Sequence, residues 1–301
     1  MPTPPLPADP LWPRAGDWPR DVDGPIDLAL VGIPTWRTSL SPTSAHATPA
    51  AVRAALRRFA PFAASVDGRN LDDLVFADVG DAVEPDGPDG EPLACALMAD
   101  AVRRATVTVA LGGDNAATVP AALGAWGDGI AHAGLVTLDA HHDVRDGISN
   151  GSPVRRLIEA GLDGRCVVQV GIADFANSRA YTERARELGI TVIPRDALHR
   201  RPMADVMAEA LEIAGAGGGP IHVDLDVDVC DRSVAPACPA SVPGGIAAHE
   251  LRAAARAAGA DRRVRSVDVT EIDALLDAPD GRTVRLAALC VLEVAAGLAA
   301  R

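Results

Sequence analysis

The feature that most restricts the fold is a rhythm of short, Val-rich apolar runs separated by helical stretches. IDLALVGI at residues 26–33 reads as a buried strand, and TPAAVRAALRRF at 48–59 as a helix capped by Thr48 with Pro49 in its first turn. The alternation continues through LVFADVG, the helical LACALMADAVRRA, TVTVAL and a helix after Gly113. Further strands are expected at GLVTLD, CVVQVGI, ITVI, IHVDLDV and VRSVDVTEI, with SRAYTERARELG, MADVMAEALEIAG and HELRAAARAAG as helices and a last helix from Val284 onward. About eight strands alternating with helices predict an α/β protein with a mostly parallel sheet covered on both faces. GPDGEP and AGAGGGP read as surface turns. The expected organisation is a Pro-rich, extended or partly disordered arm over residues 1–25 and a single catalytic domain over 26–301.

Composition narrows the class of partner. Apolar residues make up 48% of the chain and aromatics only 3%, so the core is expected to be aliphatic. A formal charge of -13 disfavours nucleic acid and anionic membranes, which select clustered Lys and Arg, and favours a small-molecule substrate. No stretch has the pattern of a secretory signal or a transmembrane helix, so a cytoplasmic protein is expected. The five scattered cysteines contain no CxxC pair and read as small buried hydrophobes.

Two of the apolar strands end in acids. GLVTLD runs into Asp139, Ala140, His141, His142 and Asp143, and IHVDLDVDV carries Asp224, Asp226 and Asp228. In extended chain, residues two apart point the same way, so Asp139, His141 and Asp143 are expected on one side of the strand end. Aspartates are poor strand formers and costly to bury unpaired, so such clusters call for a cation. Carboxylates with one imidazole form a hard, oxygen-rich set that suits manganese better than zinc or copper.

These segments resemble the signatures of the ureohydrolase family of arginases, agmatinases and formimidoylglutamases. LGGDN matches its Gly-Gly-Asp-His turn, DAHHD its DAHxD segment, and HVDLDVDVCDRSVAP its SxDxDxxDP segment. The resemblance implies a three-layer α/β/α domain, two Mn2+ ions per subunit and a homo-oligomer. It also implies that Asp139 and Asp224 bridge the metals, that His141 and Asp226 complete one site, and that Asp143 serves the other. The family histidine of that second site is Asn115 here, a neutral and weaker donor. His142 is expected to face the other side of the strand. Glu271, in VDVTEID, is placed by the resemblance beside the substrate amidine, and Asp226 is placed to relay a proton.

The substrate reading rests on two positions. Arginases and agmatinases carry a histidine where this chain has Asn150, and an amide cannot act as a general acid or base. DAHHDVRDGISNGSP is instead similar to the corresponding stretch of formimidoylglutamases, with Arg145 placed to grip a substrate carboxylate. The expected reaction is N-formimidoyl-L-glutamate plus water giving L-glutamate and formamide. The alternatives are an agmatinase or guanidino-acid hydrolase releasing urea, and a non-catalytic metal-binding homologue.

Overall fold

A computed structural model describes residues 9–87 and 89–301. Its strands are β1 (Ile26–Ile33), β2 (Phe76–Asp81), β3 (Ala105–Gly112), β4 (Gly134–Leu138), β5 (Val167–Ile172), β6 (Thr191–Pro194), β7 (Ile221–Asp226) and β8 (Val264–Thr270). They form one sheet in the order β2-β1-β3-β8-β7-β4-β5-β6, with every neighbouring pair parallel. The helices are α1 (Thr48–Leu56), α2 (Gly90–Arg104), α3 (Thr118–Trp126), α4 (Pro153–Glu159), α5 (Arg179–Glu187), α6 (Arg195–Leu198), α7 (Met203–Ala214), α8 (Ala248–Ala260) and α9 (Arg282–Ala299). The α/β architecture and eight-stranded parallel sheet expected from the apolar rhythm are present.

Each strand divides its side chains between two faces, and each face has its own core. On one face Leu28, Leu30, Val107, Val109, Val223 and Val267 join Val52 and Leu56 of α1 and the apolar sides of α7, α8 and α9. On the other, Ala29, Val31 and Ala110 pack against Met98 of α2, while Val119 of α3 and Leu157 of α4 pack on Leu135 and Val167. Central parallel strands are buried on both faces, so their sequences are continuous apolar runs and not alternating ones.

Residues 9–25, expected as part of an extended or partly disordered arm, carry no helix or strand and pack on the domain. Ala15 is buried, Trp18 stacks on Phe76 with ring centroids 4.3 Å apart, and Asp17 pairs with Arg57. The first eight residues lie outside the described ones.

The strand order fixes where a ligand can sit. β3 and β4 are consecutive in the chain, yet β8 and β7 lie between them in the sheet. The connection after β7 returns through α8 to β8, while that after its neighbour β4 leads through α4 to β5, so the two diverge and leave a crevice at the carboxyl edge, the usual ligand position in open α/β sheets.

Candidate active site

Four adjacent strands, β3, β8, β7 and β4, deliver their following loops to this crevice. The loop after β4 does not continue as the extended segment expected from the sequence, because β4 ends at Leu138. The Asp139 N–H still donates to Val170 O at 3.0 Å, but Ala140 N–H turns to Asp228 Oδ1 at 2.8 Å and His141 N–H to Asp139 Oδ1 at 2.6 Å. Asp143 then adopts a left-handed conformation, φ 51°. A non-glycine residue is rare there and persists only where its surroundings hold it. A folded loop thus gathers Asp139, His141 and Asp143.

The second acidic strand sorts its aspartates by depth. Asp224 lies inside β7 beside Asp268 of β8, and its Oδ1 accepts from Thr270 Oγ1 at 3.3 Å. Asp226 is the last strand residue, and its Oδ1 accepts from Asp228 N–H at 2.8 Å. That bond closes a 3-10 turn over Val227–Val229 and aims Asp228 at His141, whose Nδ1 is 2.7 Å from Asp228 Oδ2. A cavity of about 270 Å3 is lined by His141, Asp143, Asp226, Asp228 and Glu271 among others, but not by Asp224. Asp226 and Asp228 thus reach the cavity, whereas Asp224 and Asp139 lie deeper, each with a buried Oδ2 that has no hydrogen-bond partner.

The acids are buried together without enough counter-charge. Burial, with Asp228 adding its charge, pushes Asp139 up to about 7. Burial beside the other acids also raises Asp143 and Asp226 well above the usual carboxylate range. Burial opposes ionisation of Asp228 too, but His141 and the Ala140 N–H hold it below its ordinary value. Burial likewise disfavours charged His141, yet Asp228 and Asp139 push it up to about 12. Asp139 Oδ2 is buried with no hydrogen-bond partner. An orphaned carboxylate oxygen among close acids is what a divalent cation relieves, and oxygen donors with one imidazole fit such an ion.

Asn115 stands at the edge of this group with its amide already committed. Its Nδ2 donates to Asp143 Oδ2 at 2.7 Å, while its Oδ1 accepts from Thr118 Oγ1 at 2.6 Å and Thr270 Oγ1 at 3.1 Å. In this arrangement it presents a donor, not a lone pair, to the acids, which differs from the ligating role the resemblance assigns to that position. Glu271, also in a left-handed conformation at φ 61°, accepts at Oε1 from the Asn115 N–H at 2.8 Å and from Asn150 Nδ2 at 2.7 Å. Asn150 Oδ1 in turn accepts from the Leu40 N–H at 2.9 Å. Burial, with Asp114 adding its charge, pushes Glu271 up to about 8.

Arg145 closes the mouth of the cavity from the opposite side. Its guanidinium lies 5.6 Å from the Tyr181 ring centroid and has no acidic partner among the described residues. Arg155 is tied to Arg145 O at 2.6 Å and to Glu159, and Arg156 grips Glu91 at 2.8 and 2.7 Å. His142, expected on the other side of the strand, has Nδ1 2.6 Å from Gln169 Oε1 and also lines the cavity. Asp228, read in the sequence as one of the cation-seeking acids, is given no ligand role by the resemblance. Its signal was present, since it continues the spacing of Asp224 and Asp226. Cys238 also lies near Asp226 and Asp228, and burial raises its thiol well above the ordinary range.

Residues 26–297 match the model of the arginase family. A formimidoylglutamase of Halobacterium salinarum is 33% identical, the alignment covering 93% of this chain and 90% of the relative. The crystal structure of formimidoylglutamase from Bacillus subtilis superposes with a TM-score of 0.89 at 27% identity, covering 98% of this chain and 94% of the other. A Trypanosoma cruzi formiminoglutamase crystallised with Mn2+ shares the fold, with a TM-score of 0.80 at 22% identity and coverage of 92% and 94%.

Proposed function

This chain belongs to the arginase family, and from that premise we propose that it hydrolyses N-formimidoyl-L-glutamate to L-glutamate and formamide. The observation that carries this reading is the polarity of the cavity: buried acids line its floor, and the unpaired guanidinium of Arg145 stands at its mouth. A substrate with an amidine at one end and carboxylates at the other matches both ends at once.

We assign the metal ligands to Asp139, His141, Asp143, Asp226 and Asp228, with manganese as the ion their mixed oxygen and imidazole donors suit. A bound ion of this kind lowers the pKa of water enough to supply hydroxide near neutral pH. The chain's own residues do the rest. Glu271 orients the amidine by charge-assisted hydrogen bonds, and Asn150 and the Asn115 N–H fix the carboxylate that does so. Asn115 Nδ2 holds Asp143 in position. Asp226 takes the proton of the attacking water and passes it to the nitrogen that leaves as glutamate's amine. Arg145 grips a substrate carboxylate and so fixes which carbon meets the water.

The test is turnover by manganese-loaded protein on a panel of N-formimidoylglutamate, agmatine, arginine and guanidinobutyrate, following formamide, glutamate and urea. Formamide and glutamate in equal amounts from the first substrate alone are expected. Urea from a guanidine with no formamide would assign the site to a guanidine hydrolase, and no turnover of any of them would assign it to a binding protein.

A further inference from the structure

A second concave site lies at the opposite edge of the sheet, where β1, β3 and β8 begin and α2, α8 and α9 end. It is a groove of about 700 Å3 lined by Arg69, Arg104, Arg262, Arg265 and Arg301, with Asp27 as its acid. Asp27 is taken by Arg69 at 3.2 and 2.5 Å. Arg104, Arg265 and Arg301 have no carboxylate partner among the described residues, while Arg262 is bonded to the carboxylate of the last residue, Arg301. Asp261, whose charge reaches Arg301, is held by Arg263 at 2.8 Å.

These guanidiniums are held by backbone instead. Arg265 donates to Thr106 O, Val102 O and Ala105 O, each at 3.0 Å, and Arg301 to Gly259 O at 2.7 Å, Asp261 O at 2.6 Å and Val264 O at 3.0 Å. Arg262 donates to Arg301 O at 2.6 Å, and Arg104 to Val22 O at 3.4 Å. Each uses Nε or Nη2, and the Nη1 of all four is left without a protein partner. Capping of helix ends accounts for part of the cluster but not for its charge. Three helix C-termini bring about half a negative charge each and the Arg301 carboxylate one more, roughly two and a half against four full positive charges. Burial holds Arg301 down at about 10, with Asp261 opposing it and Arg262 and Arg265 adding their repulsion. In a chain of net charge -13, such a cluster is a strong local inversion.

We infer that this groove binds a small, multiply charged anion of the phosphate class, which the free edges of Arg104, Arg262, Arg265 and Arg301 converge to hold. Arg104 and Arg262 each spend one Nη2 donor and keep the rest of a fork that suits phosphate oxygens, while Arg265 and Arg301, anchored through Nε and Nη2, each present Nη1 already oriented. The concave shape fits a small molecule, and the acidic remainder of the surface repels an extended polyanion.

The probe is inorganic pyrophosphate, titrated calorimetrically into the purified protein with free metal removed, at constant ionic strength set by chloride. Saturable binding at one site is expected. Arg104→Gln and Arg262→Gln should each weaken it by about tenfold and together by more, since each removes a charge-assisted contact. Both side chains are exposed, and unchanged thermal unfolding of the ligand-free variants verifies their folding. Absence of saturable binding would overturn the inference. So would binding unaffected by these variants but abolished by Arg145→Ala, which would place the anion in the active-site cavity.

Discussion

Asp224 and Asp228 stand two residues either side of Asp226 and carry the same carboxylate, yet only Asp228 reaches the cavity. Asp228 bonds His141, whereas Asp224 faces Thr270 and Asp268. Asp228→Asn should therefore lower activity by at least about 100-fold and reduce bound metal, because even groups that merely orient ligands are worth 10–100-fold. Asp224→Asn should keep its metal, since an amide can still donate to Asp268. Elemental analysis of both variants decides: retained metal in Asp228→Asn with loss in Asp224→Asn would return Asp224 to the ligand set. Arg145 yields a second prediction at this scale. A charge-assisted hydrogen bond is worth about 1.5–3 kcal/mol, so Arg145→Ala should cut kcat/KM for formimidoylglutamate by about 10- to 100-fold, mainly through KM. Kinetics indistinguishable from the parent would remove Arg145 from the substrate's path.

At the scale of elements, the turn from β3 into α3 shows how tightly the loops that build the site are packed. A Cβ on Gly113 would lie 1.9 Å from Thr35 O and 3.0 Å from Thr35 N, both backbone atoms. Thr35 also bonds the next residue, its O accepting from the Asp114 N–H at 3.0 Å and its Oγ1 donating to Asp114 O at 3.0 Å. Gly113→Ala should cost about 1–3 kcal/mol in urea unfolding and also lower activity, because the displaced backbone carries the Asn115 N–H away from Glu271. An unchanged unfolding midpoint would mean that the turn has slack the packing does not show. This distinction between strand and loop also explains what the sequence disclosed. The eight strands were legible because central parallel strands are unbroken apolar runs, while α1 was misread at both ends: Thr48 is its first residue and donates to Ile272 O instead of capping, and it stops at Leu56 where the apolar pattern ran to Phe59. Strand periodicity could not say where β7 stops, so it could not choose among three evenly spaced aspartates; that choice is made by the Asp226 carboxylate accepting from Asp228 N–H. The orientation of Asn115 was equally hidden, since it is set by hydroxyls of Thr118 and of Thr270, the latter 155 residues away.

For the molecule as a whole, the acids at the crevice make stability, pH and metal binding one linked problem. In the metal-free protein Asp139 is raised to about 7 and Glu271 to about 8, both first by burial. An acid whose folded pKa lies above its unfolded value binds more protons in the folded state, so its ionisation opposes folding as pH rises from the unfolded toward the folded value. His141, raised to about 12, acts in the same direction: its contribution is complete below its unfolded pKa and fades as pH climbs toward the folded one. Metal-free protein should therefore lose thermal stability from about pH 4, where these acids ionise in the unfolded chain, to about pH 8, where folded Asp139 and Glu271 have lost their protons as well. A divalent cation replaces those protons as the counter-charge, so it should bind more tightly as pH rises and release protons on binding. The gap in Tm between manganese-loaded and metal-free protein is expected to widen by several degrees across that range. This gap isolates the crevice from the self-repulsion of the rest of the surface, which changes with pH in both forms. A gap that stays constant or narrows toward alkaline pH would show that the buried acids do not carry the linkage, and that the metal is held by groups already ionised at pH 5.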